Sequence, residues 1–464
     1  MKPFFYKYFG DKKFVQAVLV VAIPLMLQSL ITTSVNLVDN LMVGQLGDAA
    51  IGGVASVNRF YLIGMYGTNG MVIAAGIFIA QFFGANDREH MKQSFRFSII
   101  SAYAITIPIF LCAFLFPSAI LNFFTPDPEV IAIGIDYVKF ACFSFLPIGL
   151  SLAITSALRS IGEAKIPLYI SLVTVLTNTF FNYCLIFGNF GFPMMGVAGA
   201  AIATLIARII EMALLLLAVY HYDFDFKTKV SELFHISKSL VKRITAKAAP
   251  LALNEVFWAG GMAMIFKLYG TRGSEVLSGY SVANTTSDLF FTLFQGMAIA
   301  TTVMVSQRLG ANKLDEARAN GYKMMGTATT ISLGVSIIMF ASAFFIPNLY
   351  SISAEALNVA RIQIIIQSFC FWIYTLNCQN YFILRAGGDT KSTLITDSCF
   401  MWFINIPILA ILAYMTDLNI FIMYFLGQCT DLIKLCVSLY LVKREKWVIN
   451  LAKHQNHEDI EGEI

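Results

Sequence analysis

Six carboxylates lie inside long apolar stretches of this chain: Asp39, Glu211, Glu255, Asp288, Asp397 and Asp431. A carboxylate placed in hydrocarbon is expensive unless it is paired, hydrated or protonated, so each marks a place where a cation or a proton can be held. Glu255 falls about ten residues into its stretch and five after Pro250, roughly 15 Å along a helix. Asp288 lies about twelve residues into the next stretch, which runs back the other way, and reaches a similar depth. Such a pair can share a proton or hold a cation. Glu211 follows Arg208 by three residues and Asp431 precedes Lys434 by three, a spacing that predicts ion pairs within one helix. Asp397 lies within a turn or so of a helix end, where water can solvate it. Arg159 and Arg385 sit at helix ends beside glycines and are expected to cap carbonyls or bind lipid phosphate. The five His (90, 221, 235, 454 and 457) fall in loops or in the tail, which argues against an iron or zinc enzyme. The eight Cys all fall in apolar stretches without a CxxC spacing and read as small buried hydrophobes.

The elements that carry these residues follow from composition. The chain is 58% hydrophobic and 13% charged, with mean hydropathy +0.71; a soluble domain carries about 25% charge. Twelve stretches are each long enough to cross a bilayer as a helix: about 14–43, 51–82, 94–116, 130–157, 166–187, 197–220, 245–269, 276–307, 322–345, 359–384, 393–415 and 419–442. The fold class is an all-α integral membrane protein with no separate soluble domain. Residues 1–220 form one six-helix lobe and 245–442 a second. Residues 221–244 join them, with 230–243 reading as an amphipathic interfacial helix, and 443–464 form a polar, flexible tail. The basic, aromatic residues 4–13 ahead of the first stretch imitate a signal peptide, but Pro24 has a counterpart in Pro250, so this is the first helix of a repeat.

That repeat has one fixed offset of 226 residues. Ala22-Ile23-Pro24-Leu25 returns as Ala248-Ala249-Pro250-Leu251, and Gly70-Met71 as Gly296-Met297. Gly84-Ala85-Asn86 returns as Gly310-Ala311-Asn312. Leu158-Arg159 and Gly162 return as Leu384-Arg385 and Gly388. Six spans per half put both halves in the membrane in the same sense, related by an axis along the membrane normal. With both termini in the cytoplasm, 25 of the 32 Lys and Arg fall in inside segments and three (Lys267, Arg272 and Arg361) outside, which fixes the expected orientation.

Val38-Asp39-Asn40-Leu41-Met42-Val43-Gly44, the paired Gly-Ala-Asn turns, the paired Leu-Arg motifs and the twelve duplicated spans together resemble the multidrug and toxic compound extrusion (MATE) family, over nearly the whole chain. Within that family the pattern resembles the bacterial NorM- and DinF-type members. The resemblance implies export of organic, often cationic, compounds in exchange for Na+ or H+. It places Asp39 at the cation site of the N-terminal lobe, joined by Asn178 and Asn182, whose i,i+4 spacing projects both from one helix face. One carboxylate with amide oxygens suits a weak Na+ site formed by Asp39 and Asn178; Asp39 alone can instead take a proton. Some DinF-type members carry an acid where Asn182 stands, which leaves Asp39 the obvious anion of the lobe. The position of Glu255 resembles the helix-7 glutamate of NorM-type members. Their helix-10 acid is absent, since Tyr374, Asn377 and their neighbours stand there, and Asp288 is the candidate substitute. Glu255, Asp288, Tyr374 and Asn377 are therefore the expected cation or substrate set of the C-terminal lobe. The repeat warns that the lobes differ in chemistry: Asp39 maps onto Ile265, and Glu255 onto Ser29.

The resulting expectation is a monomeric, multi-pass cell-membrane antiporter that works by alternating access. It is not an enzyme; it uses Na+ or H+ as coupling ion and no cofactor, and it meets small organic cations and membrane lipids but no nucleic acid. Aromatic residues such as Phe290, Phe291 and Phe294 read mainly as packing, with Met262, Met264 and Met297 as adaptable apolar surface. A membrane potential of 100 mV contributes about 2.3 kcal/mol per charge moved. One Na+ exchanged for one monovalent organic cation moves no net charge, whereas a second coupling ion would restore the voltage drive. The alternative is a flippase for a lipid-linked oligosaccharide or another amphipathic precursor. Its anionic substrate would call for basic residues, whereas acids outnumber bases in these spans.

Overall fold

The computed structural model describes residues 9–124, 127–350 and 352–453, without the side chains of 34–37, 40, 41, 48, 63, 274 and 293. Twelve of its helices are long and apolar enough to cross a membrane. They are α1 Lys12–Gly44, α2 Asp48–Gly84, α3 Arg88–Leu115, α4 Pro128–Ser160, α5 Lys165–Phe187, α6 Gly196–His221, α7 Lys238–Gly270, α8 Ser274–Gly310, α9 Leu314–Ser342, α10 Ala354–Ala386, α11 Thr390–Met415 and α12 Ile420–Lys443. In hydrocarbon a helix satisfies every backbone donor and acceptor internally, which is why apolar runs of this length take this form. At 37 residues, α2 and α8 are about 55 Å long and outrun the apolar slab.

Backbone turns repeat with the sequence. Gly47 and Gly273 precede α2 and α8 with φ of 104° and 116°, a conformation that a side chain resists. Asn86 and Asn312 close the next turn at φ 57° and 58°, where Asn is tolerated because its short amide fits the left-handed region.

Two compact units emerge, Leu27–Ala252 in one and Met1–Met26 with Leu253–Ile464 in the other. The breaks do not fall in the 221–244 connection. They fall inside α1 and α7, at positions that are themselves one repeat apart, because both helices run on without interruption. The first half of α1 is thus counted with helices of the second repeat, and the first half of α7 with the first. Within Leu27–Ala252, small residues let backbones approach: a Cβ on Gly53 would lie 2.9 Å from the Gly134 nitrogen.

The expected amphipathic helix at 230–243 does not form. Val230–Glu232 is a single 3-10 turn, and Leu240–Arg243 belong to α7, which starts at Lys238 with Ser237 Oγ accepting from the Leu240 amide at 3.2 Å. The connection is held in place by Arg96 of α3. Its guanidinium donates to Thr228 Oγ1 at 2.8 Å, to the His235 carbonyl at 2.9 Å and to Glu232 Oε2 at 2.7 Å. Phe226 is fully buried, edge-on to Phe95. The residues just after α12 are packed as well, where a flexible tail was expected. Trp447 is fully buried, donates to the Val442 carbonyl at 2.9 Å, and sits against Gly321 and Gly387, which leave room for its ring and backbone. The tail beyond residue 453 lies outside the described residues.

Candidate functional site

In the unit Leu27–Ala252, α1, α5 and α6 bring Asp39, Asn178 and Asn182 together. Asn182 Nδ2 donates to Asp39 Oδ1 at 2.6 Å and reaches Asn178 Oδ1 at 3.3 Å. The end of the Asn178 amide lies 2.7 Å from Asp39 Oδ1. With nitrogen toward Asp39 this contact is a hydrogen bond; with oxygen toward Asp39 the pair presents two oxygens to a cation. Among the described residues, Asn182 Oδ1 is buried with no hydrogen-bond partner, and a buried acceptor of this kind calls for a donor or an ion. Asp39 and Asn178 border a cavity of about 60 Å3 lined also by Thr32, Thr174, Thr204, Arg208 and Glu211. That is room for a few waters or a small hydrated ion.

Arg208 Nη1 and Glu211 Oε2 form the i,i+3 ion pair expected from their spacing, at 2.7 Å. One turn of pairing on α6 thus neutralises the guanidinium that also acts on Asp39. Gln28, which the sequence reading missed, ties α1 to α5 and α4. Its Nε2 donates to Ser171 Oγ at 2.8 Å and its Oε1 accepts from Arg159 Nη2 at 2.6 Å. Arg159 therefore serves this helix-to-helix link rather than the expected carbonyl cap or lipid phosphate.

In the other unit the expected set does not assemble. Glu255 is half-buried, and among the described residues it forms no hydrogen bond or ion pair; Arg385 and Asp397 are the charges that act on it. Asp288 is exposed and accepts from Asn284 Nδ2 at 3.2 Å. Tyr374 packs its ring 4.8 Å from that of Phe291. Asn377 donates to the Asp431 carbonyl at 3.0 Å and accepts from Ser438 Oγ at 3.0 Å. No hydrogen bond joins any two of these four, so the shared proton drawn between Glu255 and Asp288 has no contact to carry it.

Asp397 takes a partner instead of water. Its Oδ1 accepts from Lys434 Nζ at 2.9 Å and its Oδ2 from Asn254 Nδ2 at 3.0 Å. Lys434 therefore pairs across helices, and not with the carboxylate of Asp431 three residues earlier. Asn254 is locked by Ser398, whose Oγ donates to Asn254 Oδ1 at 2.7 Å. The repeat contained the signal for this network. Gln28 and Asn254 are 226 residues apart, and so are Ser171 and Asp397. Further along, α11 carries π turns at Ile395–Cys399 and Met401–Asn405, each of which adds residues to a turn. Beyond them the equivalence slips by one. Asn178 contacts Thr204 Oγ1 at 3.4 Å, and Asn405, offset by 227, contacts the equivalent Thr430 Oγ1 at 2.6 Å.

These features match known proteins along most of the chain. Residues 24–184 and 250–411 each fit the model of the family MatE, one copy per repeat. The chain is 24% identical over 431 residues to a probable multidrug resistance protein NorM of Halalkalibacterium halodurans, covering 91% of this chain and 92% of that one. It is 26% identical over 392 residues to a namesake from Listeria monocytogenes serotype 4b, covering 83% and 85%. Among solved structures, a MATE transporter of Vibrio cholerae superposes with TM-score 0.85 at 17% identity, covering 94% of this chain and 98% of that one. An outward-facing multidrug resistance MATE family transporter superposes with TM-score 0.83 at 17% identity, covering 92% and 96%. With two family matches set one per repeat over twelve membrane helices, this chain belongs to the MatE family of membrane transporters.

Proposed function

We propose that this chain is a cation-coupled antiporter that exports organic, predominantly cationic compounds by alternating access, with Asp39 as its coupling carboxylate. The observation that carries this reading is the Asp39–Asn178–Asn182 cluster: one carboxylate oxygen 2.6 Å and 2.7 Å from two amides, beside a polar cavity. The donor set fits either coupling ion. Na+ would take oxygens of Asp39 and Asn178, with the buried Asn182 Oδ1 in reserve. A proton would sit on Asp39 itself, and the amides would then turn to accept or donate as its charge changes. Binding of the ion on one side, and its exchange for an organic cation, would be linked through this single carboxylate. The curated relatives named multidrug resistance proteins support drug-like substrates, and the unpaired Glu255 supplies a negative charge that suits a cation. The Lys and Arg distribution supports cytoplasmic termini in the cell membrane. Arg208 and Lys434 are each neutralised by a carboxylate, an arrangement that gives a lipid pyrophosphate little to bind.

Uptake of a fluorescent organic cation into proteoliposomes tests this reading, with an imposed Na+ gradient in one arm and an imposed pH gradient in the other. Accumulation driven by one of the two supports the antiporter and names its ion. Accumulation in neither arm, across several organic cations, would overturn it.

A further inference from the structure

The two halves use repeat-equivalent cations in opposite ways. Arg208 and Lys434 stand 226 residues apart. Arg208 is satisfied on its own helix by Glu211, which leaves Asp39 to its amides. Lys434 has Val437 where Glu211 would stand, and its ammonium crosses from α12 to Asp397 on α11. Asp397 replaces Ser171 of the first half, so the amide that links α1 to a hydroxyl there links α7 to a full carboxylate here. Both oxygens of Asp397 face N–H donors, and the ion pair is largely enclosed, with side-chain exposures of 20% for Asp397 and 15% for Lys434. Around it stand Glu255 on α7, Cys378, Tyr381 and Arg385 on α10, and Asp431 on α12.

We propose that Lys434 is a built-in counter-cation of the C-terminal half: it holds, at Asp397, the place that an exchanged ion would take, so that one external coupling ion, at Asp39, is exchanged per cycle. A tethered ammonium compensates the carboxylate in every state of the cycle and cannot leave with the gradient. Its strength as a ligand is that of a charge-assisted hydrogen bond in a site nearly closed to water. Glu255, which has no such partner, is left to meet the organic cation. This inference rests on the assignment of Asp39 as the coupling carboxylate.

Coupling stoichiometry in proteoliposomes tests it, read from the potential at which net exchange of a monovalent organic cation stops. Wild type and Lys434→Arg should exchange one coupling ion per organic cation and ignore a clamped membrane potential. Lys434→Gln frees Asp397 and should raise the ratio to two, with uptake that follows voltage; Lys434→Gln with Asp397→Asn should return it to one. A wild-type ratio of two, or a transporting Lys434→Gln that stays at one, would overturn the proposal. Should Lys434→Gln fold without transporting, equilibrium binding decides. Radiolabelled Na+ and proton uptake on mixing should then show one more bound cation in Lys434→Gln than in the double variant, and equal binding in the two would overturn the proposal. Asp39→Asn separates the readings. If it keeps the full cation binding of wild type, the assignment of Asp39 fails, whatever Lys434 does.

Discussion

Gly70 lies against Ala252: a Cβ added to Gly70 would come within 2.9 Å of the Ala252 Cα, and one repeat later Gly296 stands in the same relation to Met26. Each contact belongs to a single compact unit, and each seats one half of a long helix, α7 in one case and α1 in the other. Replacing Gly70 by Leu forces that packing apart and should lower stability by about 1–3 kcal/mol. Gly334→Ala is the control, because nothing lies within 4 Å of a Cβ there; it should be neutral or stabilising by up to about 1 kcal/mol. Thermal unfolding of the purified variants, followed by loss of the monodisperse peak, distinguishes the two. Equal behaviour would contradict the tight seat at Gly70.

Glu211 pairs with the Arg208 guanidinium, whose charge also acts on Asp39. Glu211→Gln leaves that positive charge for Asp39 to answer, and the apparent affinity for the coupling ion should fall about tenfold, or ~1.4 kcal/mol. Removing both charges in Arg208→Met with Glu211→Gln should restore most of it. The check is the ion concentration that gives half-maximal uptake. A single variant with unchanged affinity would show that Arg208 does not compete.

Trp447 anchors the segment after α12 under the glycines of α9 and the α10–α11 turn. Trp447→Ala should cost about 3–5 kcal/mol, the usual range for emptying a buried aromatic site. Phe234→Ala, at a ring that is 81% exposed, should cost far less. Unfolding midpoints of the two variants against wild type provide the comparison.

Asp87 caps α3 by accepting from the His90 amide at 3.1 Å, and its carboxylate meets the His90 ring at 2.6 Å. Burial pushes the Asp87 carboxyl up, but the His90 hydrogen bonds and charge outweigh it and hold the group below its ordinary value. A carboxyl depressed on folding stabilises the protein fully above the ordinary carboxylate range and loses that contribution as pH falls through the depressed value. Asn can make the same cap, so wild type should exceed Asp87→Asn at neutral pH only by the charge-assisted contact with His90, about 0.2–1 kcal/mol, with the gap closing toward pH 3. A gap that widened in acid would contradict the sign.

Twelve helices were legible because apolar length alone dictates them, and the Arg208–Glu211 pair was legible because both partners share one helix. Lys434 misled the same rule. An i,i+3 neighbour on α12 was available, but a carboxylate on α11 with an amide already aimed at it offered better geometry, and spacing along one helix carries no information about the next. The repeat did hold part of the answer, since Gln28 with Ser171 foretells Asn254 with Asp397. It could not foretell the π turns of α11, which shift Asn405 by one position and break the count. The linker read as an amphipathic helix and the first tail residues as polar and loose, because a single Arg96 or Trp447 gives no periodic signal of being buried.

We propose that Asp39 couples ion and substrate. This coupling is tested most directly by comparing two modes of transport in Asp39→Asn proteoliposomes. One is exchange of labelled for unlabelled organic cation with no ion gradient; the other is accumulation driven by the ion gradient that drives wild type. Asp39→Asn should keep exchange within a few fold of wild type and lose gradient-driven accumulation. Accumulation that persists in Asp39→Asn at wild-type levels would contradict it.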